Sequence, residues 1–185
     1  MRLLFFLALI IGLFTSCADL QKKEQLAKID VMNQTLDSLE KELITQKIDT
    51  LPELKLSTST VELRIKQNLF MDKVDIELGK KMDAYKRMRR ALGPLGKAYG
   101  KVNKSVLEIR EAIKNLSSDI ENGYGERNKY DEYITFEKDK ITKITILLND
   151  YKEQKESVFK TYFELHNELY TFSMELLKKN TKSTK

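Results

Sequence analysis

One cysteine, Cys17, and one histidine, His166, supply all the thiol and imidazole chemistry of this 185-residue chain. Metal centres draw on clustered Cys and His ligands, and His166 stands alone between Leu165 and Asn167. The carboxylates lack EF-hand spacing, and no nucleophile elbow or Ser-His-Asp set is present. His166 therefore reads as a half-buried packing residue, and the chain as non-enzymatic, without metal or cofactor. The run Gly93-Pro-Leu-Gly-Lys-Ala-Tyr-Gly-Lys101 has the glycines and lysines of a phosphate-cradling loop. Ala98 and Val102 stand where that loop needs Ser or Thr, so the run reads as a turn between helices.

Charge is the second chemical signal. Between Lys80 and Lys104 nine basic residues face a single acid, Asp83, in a chain whose net charge is only +5. Lys86, Arg87, Arg89, Arg90, Lys97 and Lys101 are the candidate contacts for an anionic lipid surface or an acidic partner. The same cluster also suits a solvated helix end, where cations favour the macrodipole. The modest overall charge makes no case for nucleic acid.

Cys17 closes a different pattern. Arg2 begins a short positive segment, Leu3 to Phe14 is uniformly apolar, and Thr15-Ser16 are small. A helix over Leu3 to Phe14 reaches about 18 Å, too short for a bilayer core of roughly 30 Å. It is an export signal, not a span. Phe14-Thr15-Ser16-Cys17 resembles the lipobox of bacterial lipoproteins at Thr15, Ser16 and Cys17. Phe14 departs from it, because that family prefers an aliphatic residue there. Ser16-Cys17-Ala18 also offers an ordinary secretory cleavage site, which stays open as an alternative. The resemblance implies a signal peptide over residues 1–16 and a lipid on Cys17. It implies a lipid-anchored N-terminus over 17–25 and residence in the cell envelope, most naturally at the outer membrane. Two or three acyl chains would hold the chain firmly at the membrane.

The rest of the chain must then be held up by packing, since no second cysteine exists for a disulfide. Few glycines and prolines and abundant Lys, Glu, Leu and Ile point to helix. Leu26, Ile29, Met32, Leu36, Leu39 and Leu43 step by threes and fours, which predicts a first helix. Pro52 and the Ser/Thr-rich 54–60 predict a loop, with Ser59 and Glu62 as a capping box. A second helix, with Phe70, Val74, Leu78, Tyr85, Met88 and Leu92 on one side, should end at Gly93-Pro94. A third, from near Lys97, carries Val102, Val106, Ile109, Ile113, Leu116 and Ile120, and should stop at Gly123 and Gly125.

The fourth helix is expected from about Glu126 to Lys179. Its stripe runs from Ile141 to Leu176, with Lys155 as the one polar intruder, placed to pair with an acid across the seam or to snorkel to solvent. A second row (Phe159, Phe163, His166, Tyr170, Ser173, Leu177) widens its C-terminal half, so only that half should meet two partners. The aromatics of both rows are expected in the core. The fold class that follows is all-α: an elongated antiparallel helical bundle or coiled coil of about four helices over 26–180, then a basic tail over 181–185. The functional expectation is a lipid-anchored protein with a non-catalytic interaction or scaffolding role, its partner a protein meeting the helical surface. The alternative is a lipoprotein that binds an apolar ligand within the bundle.

Overall fold

The computed structural model describes the backbone of residues 2–70, 73 and 75–183, and the side chains of 20–70, 73 and 75–181. The fold is all-α. The helices are α1 (Arg2–Thr45), α2 (Leu51–Asn68), α3 (Ile76–Asn122) and α4 (Tyr130–Ser183), with a 3-10 turn at Arg127–Lys129. Among the described residues there is no strand, and no helix is long and apolar enough to cross a membrane. The expected signal segment 1–16, the lipobox at 14–17 and the Cys17 side chain lie outside the described side chains. So does Val74, and residues 184 and 185 of the expected tail lie outside the structure described; α4 takes in 181–183.

Contacts divide the chain into two compact units. The first joins Met1–Thr45 with Val102–Ile146, and the second joins Gln46–Lys101 with Leu147–Lys185. Each is a three-helix bundle, because α3 and α4 contribute one stretch to each unit.

The first unit follows the sequence pattern closely. Ile29, Met32, Leu36, Leu39 and Leu43 of α1 are buried, as are Val102, Val106, Ile109, Ile113, Leu116 and Ile120 of α3. Each such side chain gives about 1.5–3 kcal/mol on burial, which makes this seam the main source of stability. Lys22 Nζ donates to the Glu121 carbonyl at 2.8 Å, and Arg110 meets Asp37 at 2.8 Å and Glu40 at 2.7 Å, so α1 and α3 run antiparallel. The two glycines expected to end the helix do so in left-handed backbone, at φ 69° for Gly123 and 74° for Gly125. The Tyr130 hydroxyl lies 2.9 Å from the Asp119 carbonyl and 2.5 Å from that of Tyr124, stapling the α3–α4 hairpin. One expectation fails: the early half of α4 meets two helices. Tyr130 touches α3, while Asp131 accepts from Gln25 at 3.2 Å and Lys28 at 3.1 Å on α1.

The second unit departs from the sequence reading at three places. Residues 54–60 are helical, not a loop, because Pro52 falls in the first turn of α2, where its missing N–H costs nothing. Ser59 and Glu62 are interior residues and form no capping box. The expected second helix is broken between Asn68 and Ile76, where Leu69 is extended and Phe70 is 83% exposed. The Asp75 carboxylate then caps α3 by accepting from the Leu78 N–H at 3.0 Å.

The third departure is Gly93-Pro94, which neither ends a helix nor forms a turn: α3 passes straight through. A proline disfavours helix at the residue before it by meeting that residue's Cβ, and Gly93 has none. Its missing N–H also leaves the Arg90 carbonyl without a helical donor, at about 3 kcal/mol. Burial of Leu92 and Leu95, each 1% exposed, offsets that cost. Gly96 has a packing role, since a Cβ there would lie 2.8 Å from the Leu51 side chain, where α2 begins.

Candidate functional site

The basic stretch lies entirely on α3, and its cations divide into two sets. One set is engaged. Lys80 pairs with Glu77 at 2.8 Å, Lys81 with Glu168 of α4 at 2.6 Å, Arg87 with Asp83, and Lys104 with Glu108 at 3.6 Å. Arg89 turns inward and donates to Glu62 of α2 at 2.6 Å. Glu62 is 4% exposed and also accepts from Lys66 at 2.6 Å. Burial pushes the Glu62 carboxyl upward, but the hydrogen bonds from Lys66 and Arg89 outweigh it and hold the group below its ordinary range. Arg89 is thus structural, while Arg87 stays exposed in a surface pair with Asp83.

The other set is Lys86, Arg90, Lys97 and Lys101, which have no ion pair among the described residues. Arg90, Lys97 and Lys101 are exposed and Lys86 is half-buried. At 100° per residue the four fall within an arc of about 60° and extend about 22 Å along the helix. They form a single row, opposite the side on which Tyr85, Met88, Leu92 and Leu95 are buried. Gly93 and Gly100 lie beside the row, and a Cβ at either would meet nothing within 4 Å.

A second cluster joins the three helices of the same unit. His166 of α4 has Nδ1 2.6 Å from the Tyr85 hydroxyl of α3 and Nε2 3.4 Å from Ser57 Oγ of α2. Tyr162 stacks on the imidazole with ring centroids 4.5 Å apart. Burial lowers the His166 pKa from its ordinary 6.5 and raises that of Tyr85. A neutral imidazole satisfies both contacts: Tyr85 donates to Nδ1, and Nε2–H donates to Ser57. Serine, imidazole and a third group stand in relay order, yet the third group is a neutral phenol that cannot stabilise an imidazolium as a carboxylate does. Ser57 also sits within α2, whose backbone N–H groups are taken up by the helix and offer no oxyanion hole. The cluster works as a polar pin between helices, in keeping with a half-buried His166. Ser57 is its least foreseeable member, since the sequence places it in a loop.

Lys155 neither snorkels nor meets an acid. Its Nζ donates to the Gln46 carbonyl at 3.0 Å and to Gln46 Oε1 at 3.1 Å, and the Tyr151 hydroxyl donates to the same carbonyl at 2.7 Å. The stripe's polar intruder therefore satisfies backbone just beyond the end of α1. Burial lowers the Lys155 pKa and pushes that of Tyr151 up to about 12. The aromatics of α4 divide: Tyr151 is 1% exposed, whereas Phe163 is 73% exposed and is not a core residue.

Compared with family models, with curated proteins and with solved structures, the chain gives no match in any of the three.

Proposed function

We propose that the chain is a lipid-anchored protein of the bacterial cell envelope, most naturally at the outer membrane, with a non-catalytic interaction or scaffolding role. The observation that carries this reading is Cys17 at the end of the apolar run Leu3 to Phe14, behind Thr15-Ser16. Two helical bundles on such a tether present long side-chain faces to a partner protein. The histidine and the buried carboxylate Glu62 are engaged in helix-to-helix bonds, which suits a body built to hold a shape. The reading assigns no catalytic step, metal, cofactor or nucleic-acid ligand. Expressed in a bacterium, the protein should enter the detergent phase on phase separation, and Cys17→Ala should move it to the aqueous phase. A wild-type chain that stays in the aqueous phase would overturn the anchor.

A second reading, binding of an apolar ligand, has its own observation. In the first unit, α1 and α4 flank a groove of about 720 Å³ lined by Val31, Met32, Ile134, Ile141 and Ile146. Thr35, Thr135, Thr142 and Thr145 also line it, each donating its hydroxyl to a carbonyl of its own helix. Lys28 and Asp131, which pair with each other at 3.1 Å, and Lys138 complete the lining. Its α4 lining, within residues 131–146, precedes the aromatic rows of that helix. Native mass spectrometry of the purified chain should show a bound apolar molecule that Val31→Trp displaces; a bare chain contradicts this reading.

A further inference from the structure

We infer that Lys86, Arg90, Lys97 and Lys101 form a docking row for the anionic phospholipid headgroups of a membrane. This deepens the tethered reading and rests on it, because the tether brings the body within reach of headgroups.

Three observations carry the inference. First, the row is selective. Lys80, Lys81, Arg87, Arg89 and Lys104 all pair with acids, while these four cations have no ion pair among the described residues. They are therefore free to meet an anion from elsewhere. Second, α3 carries no acid from residue 84 to residue 107, so nothing on the helix repels phosphate along the row. The open Gly93 and Gly100 put no side chain between the cations and an approaching surface.

Third, the row offers no apolar anchor. Among the described residues no large hydrophobic side chain is exposed between Ile76 and Leu107. A protein interface draws most of its energy from buried aromatic and apolar anchors, and single-stranded nucleic acid needs aromatic faces for stacking. Tyr85 is buried and Tyr99 packs on Tyr151, so neither ring is available. A straight row of cations with nothing apolar to bury fits a plane of phosphates, which asks only for charge. Polybasic attraction to anionic lipid is worth about fivefold in affinity per Lys or Arg near the surface.

The test uses the full chain carrying Cys17→Ser, so that no lipid anchor contributes. Flotation is measured with phosphatidylcholine vesicles, with and without phosphatidylglycerol. The zwitterionic vesicles report any insertion of the apolar N-terminal segment. The expected result is added binding to the anionic vesicles, abolished in 1 M salt, where the screening length falls to about 3 Å. Lys97→Gln with Lys101→Gln should weaken that added binding about thirtyfold. Lys114→Gln with Lys143→Gln removes the same charge from exposed positions elsewhere and should leave it unchanged. Equal loss in both double variants would reduce the effect to net charge and overturn the proposal. So would the absence of added binding, which would leave an acidic protein as the partner to seek. The tethered reading survives either failure, because it is decided by the partitioning of the wild-type chain.

Discussion

The two units are built from the same kind of helix but are specified differently. The first closes mainly on an apolar seam, with the α1–α3 ion pairs of Arg110 to Asp37 and Glu40 at its edge and two buried polar residues, Gln25 and Glu137, beside it. The second places polar groups between its helices: Glu62 with Arg89, His166 with Tyr85 and Ser57, and Lys155 with Gln46. An apolar seam accepts many sequences of the right size, while a buried polar pair works in only one register. The second unit trades tolerance for that specificity, and it also carries the unpaired basic row.

The largest expected effect comes from the apolar seam. Ile113→Ala removes a fully buried side chain and should destabilise the first unit by about 2–5 kcal/mol. Hydrogen exchange should show lost protection in α1 while α2 keeps its own. Equal loss in both would mean that the units unfold as one block and would break the comparison. Glu62→Ala should cost the second unit roughly 2 kcal/mol. That is less than for a fully buried pair, because the Lys66 side chain is 56% exposed and can return to water. Denaturant unfolding measures the loss, and Arg89→Ala should be less than additive with it if the pair acts as a unit.

Legibility in the sequence followed the same division. The seam of the first unit could be read from its 3-4 spacing, residue for residue on α3 and from Ile29 onward on α1, where Leu26 is only half-buried, and so could the Gly123–Gly125 turn. Apolar periodicity reports burial directly, and glycine reports left-handed backbone. In the second unit the punctuation misled. Pro52 marked the start of a helix, the Ser/Thr run lay inside one, and Gly93-Pro94 was overridden by the burial of Leu92 and Leu95. The helix break after Asn68 had a readable signal in Asp75, a capping residue just before Ile76. The candidate site was half legible. The cations were evident, as were the acids Glu77, Asp83 and Glu108 three or four residues from Lys80, Arg87 and Lys104, but the pairing of Lys81 and Arg89 depends on Glu168 and Glu62, contributed by other helices.

Pro94→Ala sharpens this point. The alanine restores a helical donor for the Arg90 carbonyl and should raise stability by about 2 kcal/mol, after allowing for the looser unfolded chain. No gain in thermal unfolding would mean that the missing donor at the Arg90 carbonyl costs the folded chain little. The smallest expected effect is the pH response of His166. Its folded pKa lies below 6.5, so between the two values the unfolded chain binds the proton more readily. Stability of the second unit should therefore fall as pH drops below about 6.5. Glu62, held low, adds a further loss only in more acidic solution, below its ordinary 4.5. Melting curves across this range should show the upper step in the wild type and lose it in His166→Gln.

The central claim is the tether, and the mass of the mature N-terminus tests it most directly. Intact-protein and N-terminal peptide mass spectrometry of the envelope-purified chain should find a polypeptide beginning at Cys17 and carrying a diacylglyceryl group on its sulfur. A mature chain that begins elsewhere, or a Cys17 with an unmodified thiol, would contradict the account.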